Sequence, residues 1–166
     1  MEKYIKKNYI REAINDLGFK ELTEIQKRSI EAFNNNKNIL GKSKTGSGKT
    51  HAFLLPAFDL LDEDLNEPQI LILSPTKELA LQIEKRCKHL ASFCDKKITV
   101  RSFTGKTDRN SDIEYLSKEN PMILIMTPGK VVDYCFKASV LNISTCKAVI
   151  LDEADMILES GFITVS

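Results

Sequence analysis

Four short runs set the limits on how this chain can fold: Ile70–Leu73, Ile98–Phe103, Met122–Met126 and Ala148–Leu151. Three of them (ILIL, MILIM and AVIL) contain no polar side chain, so neither face of such a strand is suited to water. Segments of helical periodicity fill the gaps. The clearest is Glu78–Phe93, which puts Leu79, Ile83, Cys87 and Leu90 on one face. Buried strands alternating with helices predict an α/β fold with a parallel sheet covered on both sides. Ligands of such sheets bind beyond the carboxyl ends of the strands. The residues just after each run are therefore the first candidates for function.

Upstream, Ile10, Ile14 and Leu17 form a helical stripe that ends at Gly18, a favourable C-cap residue. A second helix is expected from Thr23, carrying Ile25, Ile30 and Phe33, until Asn34, Asn35 and Asn36 break it. A short strand at Asn38–Leu40 and a Gly/Ser/Thr loop follow. The apolar stretch His51–Leu61 then reads as a buried helix kinked at Pro56.

The 166 residues suit one domain, without internal repeats or long linkers. Charged residues make up 28% yet net only +1, too little to hold a nucleic acid by bulk charge. Any such contact must be local. Cys87, Cys94, Cys135 and Cys146 form no CxxC pair, and His51 and His89 sit near no ligand cluster. This argues against a zinc site or a disulfide framework and for reduced thiols in an intracellular compartment. The N-terminus MEKYIKKNYI lacks the apolar core of a signal peptide, and no segment approaches the length of a membrane span.

Ser43-Lys44-Thr45-Gly46-Ser47-Gly48-Lys49-Thr50 lies between an expected strand and an expected helix, the context of a phosphate-binding loop. Its glycines let backbone N–H groups curl toward phosphate oxygens, and the helix N-terminus adds positive potential. Lys49 is placed to reach the β- and γ-phosphates, and Thr50 to hold Mg²⁺ through its hydroxyl. An ordinary flexible turn is the alternative. The intact GSGKT core in a strand–loop–helix setting weighs against it.

Ala148–Leu151 runs straight into Asp152-Glu153-Ala154-Asp155. A carboxylate at the tip of a buried strand can bind Mg²⁺ directly or through water, which suits Asp152. Glu153 is placed to orient and deprotonate an attacking water. Acids also favour the first turn of a helix. With a phosphate loop about a hundred residues upstream, the catalytic reading is preferred.

Asp-Glu-Ala-Asp after SKTGSGKT resembles the DEAD-box RNA helicases, and further segments follow in that family's order. Gly18 through Gln26, including Phe19, resembles the Q motif. Pro75-Thr76-Lys77-Glu78-Leu79-Ala80 resembles motif Ia. Gly105 sits where the family has a glycine doublet, and Thr127-Pro128-Gly129-Lys130 resembles motif Ib. Met156 through Gly161-Phe162 matches what usually follows motif II. The likeness runs from about Tyr9 to Phe162.

The resemblance implies a RecA-like ATP-binding lobe, an ATP·Mg²⁺ cofactor and RNA held by sequence-independent backbone contacts at Pro75, Thr76, Lys77, Gly105, Thr127, Pro128, Gly129 and Lys130. A second lobe would complete the ATPase. An amide side chain at Gln26 would tell adenine from guanine by their opposite hydrogen-bonding patterns, and Tyr9 lies at the family's distance for an aromatic that stacks on the base. Both residues have plainer readings. Thr23-x-x-Gln26 is also the text of a capping box, and Tyr9 could be core. Thr76 and Thr127 could likewise be simple N-caps.

Several positions depart from the family text. Leu22 replaces the common Pro, Ser43 the common Ala and Thr104 the first Gly of the doublet. Lys77 and Lys130 replace arginines, keeping charge but losing the planar fork. The family's Ser-Ala-Thr motif and second lobe are absent, so the chain is expected to be a fragment. Its expected parts are a Q-motif region (1–28) and an ATP-binding domain (29–166). A monomer is expected. The wording of TEIQKRSI, LILSPTKELALQI and LDEADMIL is similar to nucleolar helicases of ribosome assembly, which favours a nucleolar location over the cytoplasm. The alternative function is a nucleotide-binding module without turnover in isolation.

Overall fold

The computed structural model describes residues 1–35 and 49–153. The expected strand at Asn38–Leu40, the loop residues Ser43 to Gly48 and the segment after Glu153 lie outside the described residues. Internal contacts divide the chain into two compact units, Met1–Leu61 with His89–Asp95, and Asp62–Lys88 with Lys96–Ser166.

The first unit holds α1 (Asn8–Asp16), α2 (Glu24–Asn34) and α3 (Lys49–Leu60). α1 buries Ile10, Ala13 and Ile14. It ends in a Schellman motif: Gly18, at φ +81°, donates to the Asn15 carbonyl, and Phe19 donates to that of Ile14 at 3.2 Å. Leu17 was expected in the buried stripe, but it is the C-cap residue at the helix end, and it is exposed. α2 packs along α3. α3 is apolar nearly all round and buries Ala52, Leu54, Leu55, Ala57 and Phe58, with Pro56 inside it. Its C-terminal carbonyls, which lack helical donors, are met by Lys7: Nζ donates to the Phe58 carbonyl at 2.7 Å and to that of Leu61.

The second unit carries β1 (Ile70–Leu73), β2 (Val100–Phe103), α5 (Arg109–Leu116), β3 (Ile123–Met126), α6 (Pro128–Val131) and β4 (Ala148–Leu151). α4 (Lys77–Ala91) begins in it, and α6 continues into a π-helical turn (Val132–Lys137). The four strands form a parallel sheet in the order β2-β3-β1-β4. The central pair is buried on both faces, as its apolar text requires. Leu71, Leu124, Met126 and Phe103 join Leu116 of α5 and Tyr134 of the π-helical turn in one core. Ile70, Ile72, Ile123 and Ile125 are buried on the opposite face.

Among the described residues, β2 and β4 stand at the two ends of the strand order, and both are less buried than their text suggests. In β2, Val100, Arg101 and Ser102 are only half-buried. In β4, Ile150 is buried, but Val149 is 58% exposed and Leu151 is 39% exposed. The core built on α5 and the π-helical turn covers β2, β3 and β1 but includes no residue of β4.

Candidate functional site

In the first unit the Q-like segment and the start of α3 belong to one body. Thr23 caps α2 reciprocally with Gln26. The Gln26 amide donates to Thr23 Oγ1 at 3.3 Å, and Gln26 Oε1 accepts from the Thr23 amide at 2.9 Å. The side chain of Gln26 is thus held in a buried position by the helix end itself. Phe19 meets the ring of His51 edge-on, with centroids 5.6 Å apart. That contact joins the Q-like segment to the first turn of α3, which opens with Lys49 and Thr50. Both of these are half-buried, as is Tyr9 on α1. Of the expected phosphate-loop residues, Ser43, Lys44, Thr45, Gly46, Ser47 and Gly48 lie outside the described residues.

In the second unit the parallel register aligns the remaining candidates along one edge of the sheet. Phe103, Met126, Leu73 and Leu151 are register partners at the carboxyl ends of β2, β3, β1 and β4. The hydrogen bonding continues one residue further. Thr127 donates to the Phe103 carbonyl at 3.2 Å, Ser74 to Met126 at 3.0 Å and Asp152 to Leu73 at 2.8 Å. Thr104, Thr127, Ser74 and Asp152 therefore stand in a row where the strands end. Asp152 is 9% exposed. Glu153 follows it with φ +51° and an exposed side chain. A left-handed backbone is uncommon for a residue with a Cβ and turns the chain sharply off the strand.

The flanking residues differ in how far the fold already employs them. Thr76 caps α4, its Oγ1 accepting from the Leu79 amide at 3.3 Å. Thr127 occupies the N-cap position of α6 but makes no side-chain cap bond, and Pro128 follows at the first helical position. Pro75 is half-buried and Lys77 exposed. At Gly105 and Gly129 an added Cβ would meet nothing within 4 Å, and neither has a positive φ. Lys130 Nζ donates to the hydroxyl of Tyr134 at 2.9 Å.

One polar cluster here escaped the reading of the sequence. Asp112, Thr107 and Tyr134 are joined by hydrogen bonds, although 22 residues separate Asp112 from Tyr134. The one local signal was the spacing of Lys130 and Tyr134, four apart on a helix. Ser74 is also buried, and its hydroxyl meets no hydrogen-bond partner among the described residues.

The Thr50 hydroxyl in the first unit and the Asp152 carboxylate in the second are each an oxygen ligand of the hard kind that Mg²⁺ takes. Among the described residues, no group of three or more His, Cys, Asp or Glu is placed to hold a metal by protein ligands alone. No helix among the described residues is long and apolar enough to cross a membrane.

Comparison with known proteins shows the family and the fold. The family model described as DEAD/DEAH box helicase matches residues 23–165. DEAD-box ATP-dependent RNA helicase CshB of Bacillus cereus is 38% identical over 159 residues, which are 95% of this chain and 36% of that protein. ATP-dependent RNA helicase DeaD of Escherichia coli K12 is 38% identical over 158 residues, 93% of this chain and 24% of DeaD. Among solved structures, a DEAD box protein from the hyperthermophile Methanococcus jannaschii superposes with a TM-score of 0.83 at 35% identity, covering 95% of this chain and 42% of that one. The RNA helicase Prp28 from Chaetomium thermophilum, bound to ADP, gives 0.79 at 33% identity, covering 94% of this chain and 38% of that one. The chain spans roughly a third of the length of the CshB proteins it matches.

Proposed function

Since the chain belongs to the DEAD/DEAH box helicase family and has the fold of its RecA-like lobe, we propose that it is the ATP-binding lobe of an ATP-dependent RNA helicase. The observation that carries this reading is the row at the carboxyl edge of the parallel sheet, where Thr104, Thr127, Ser74 and Asp152 stand in lateral order and lead into the motif-like segments. The ADP bound to Prp28 supports an adenine nucleotide as cofactor.

In this reading Gln26, held by its cap, reads the adenine edge, with Tyr9 and Phe19 beside the base. The backbone of Ser43 to Gly48 cradles the phosphates, and Lys49 meets the β- and γ-oxygens. Thr50 and Asp152 hold Mg²⁺, which when bound neutralises charge on the phosphates. Glu153 orients the attacking water and takes its proton. Pro75, Thr76, Lys77, Gly105, Thr127, Pro128, Gly129 and Lys130 meet RNA through its backbone, so binding is independent of sequence. A second RecA-like lobe supplies arginine and the rest of the RNA groove, and the protein works as a monomer. The separation at residues 28 and 29 into a Q-motif region and an ATP-binding domain belongs to this proposal.

The CshB and DeaD relatives are bacterial, and bacteria have no nucleolus. The cytoplasm is therefore the compartment we favour. A role in ribosomal RNA processing rests on motif wording alone. Because the chain matches only part of its relatives, a second reading is a nucleotide-binding module that does not turn over by itself.

The test is to titrate the chain with fluorescent ADP and compete with ATP and GTP in Mg²⁺. Displacement by ATP alone is expected, and equal displacement by GTP would remove Gln26 as an adenine reader. Phosphate release stimulated by added RNA would exclude the module reading.

A further inference from the structure

A carboxylate outside the expected sites ties together two segments assigned above to RNA. Asp112, on α5, is 3% exposed. Its Oδ2 accepts from the hydroxyl of Thr107 at 2.6 Å and from that of Tyr134 at 2.5 Å. Thr107 belongs to the loop that carries Gly105, and its hydroxyl also lies 2.8 Å from the Thr104 carbonyl. Tyr134 lies on the π-helical turn that continues α6 and is fully buried. Its oxygen accepts from Lys130 Nζ at 2.9 Å, and that ammonium stands 4.8 Å from the ring centroid. The same two segments are clamped at the surface by Arg109, whose Nε and Nη2 donate to the carboxylate of Asp133 at 2.8 and 3.1 Å.

The direction of these bonds follows from counting protons. A phenol has one proton and gives it to Asp112, so only lone pairs face Lys130. Burial, aided by the Asp112 carboxylate, pushes the Tyr134 phenol well above its ordinary value, so it keeps that proton. A lysine ammonium has three donors, and one spent on the phenol leaves two for phosphate oxygens. An amide at residue 112 could donate to the phenol oxygen and turn the phenolic proton toward Lys130.

We propose that Asp112 is a positioning residue for RNA, acting through Tyr134 to hold Lys130 at the carboxyl edge of the sheet, with Thr107 fixing the carboxylate. This rests on the reading that the Thr127–Lys130 segment meets the RNA backbone.

The test is RNA binding by the complete protein, measured with single-stranded RNA across a range of salt concentrations. The variants are Asp112→Asn, Lys130→Ala and the two combined. Asp112→Asn is expected to weaken binding about five- to tenfold and to leave the KM for ATP unchanged. It should lower the slope of log affinity against log salt by about 0.7, the value of one single-strand phosphate. Lys130→Ala should lower the slope equally, and adding Asp112→Asn to it should cost nothing more. Tyr134→Phe, which keeps the ring and breaks the relay, should reproduce Asp112→Asn. Equal weakening by Asp112→Asn with and without Lys130, or a parallel loss of ATP binding, would overturn the proposal by making the carboxylate merely structural. Lys130→Ala separates the two failures. If it leaves RNA binding unchanged, RNA does not meet this segment. If it weakens binding while Asp112→Asn does not, the RNA assignment stands and the positioning role falls.

Discussion

Thr23 and Gln26 cap each other: the amide of each donates to the side-chain oxygen of the other, at 2.9 and 3.3 Å. The sequence offered a helix cap and an adenine reader for this pair, compatible because a capped helix end would fix the Gln26 side chain, and the hydrogen bonds are those of the cap.

The two roles separate by mutation. Thr23→Ala removes the capping hydroxyl and should destabilise the protein by about 1 kcal/mol, while retaining preference for ATP over GTP. Gln26→Ala should also abolish that preference. Thermal melting together with nucleotide competition measures both. An unaltered preference in Gln26→Ala would leave the residue as a cap only.

Apolar runs were legible in the sequence because they are local. Ile70–Leu73 and Ala148–Leu151 match their strands at both ends, and the Thr23 cap needs only four residues of text. Strand order is not local. Nothing in the text of Ala148–Leu151 gives its place in the strand order, and Val149, expected inside, lies exposed. The Asp112–Tyr134 bond was hidden for the same reason. Each residue alone reads as ordinary helix surface, and only the fold brings them together. Ionic motifs with fixed spacing, such as Lys49-Thr50 and Asp152-Glu153, were visible because chemistry fixes their neighbours along the chain.

Lys49 opens α3 beside the expected phosphate loop. Lys49→Ala should weaken ATP binding on the order of tenfold or more, the value of a hydrogen bond to a charged group. It should leave the melting temperature near that of the parent, since the side chain is only half-buried. Calorimetric titration with ATP measures it, and unchanged affinity would refute the phosphate-loop assignment.

Glu153 is exposed at the tip of β4. Glu153→Gln in the complete protein should bind ATP normally and lose at least about 100-fold in turnover, the usual share of a general base. Normal steady-state phosphate release would remove Glu153 as the base. Its backbone supplies a second, independent expectation. At φ +51° a glycine relieves strain, so Glu153→Gly should be as catalytically dead as Glu153→Gln without being less stable in a thermal melt.

Cys87 is fully buried on α4, and burial pushes its thiol far above the ordinary range, so it remains protonated and unreactive. Cys87→Ser would bury a hydroxyl in place of a thiol that packs as a small apolar group. Without a partner that hydroxyl should cost about 1–3 kcal/mol. A lower melting temperature with unchanged nucleotide affinity is expected. A large loss of affinity would mean that α4 contributes to the nucleotide site.

Gly105 and Gly129 lack the usual structural reasons for glycine. Neither has a positive φ, and among the described residues, chain neighbours and the helix's own backbone aside, a Cβ at either would meet nothing within 4 Å. What the fold leaves open there, a ligand backbone can approach. Gly129→Ala should therefore leave the protein as stable as before, or more stable by up to about 1 kcal/mol from helix propensity, while weakening single-stranded RNA binding. Gly105→Ala should show the same separation between melting temperature and RNA affinity. A melting temperature that falls along with RNA binding would mean that the glycine serves the fold. Full RNA affinity in both variants would take the phosphate backbone away from this edge of the sheet.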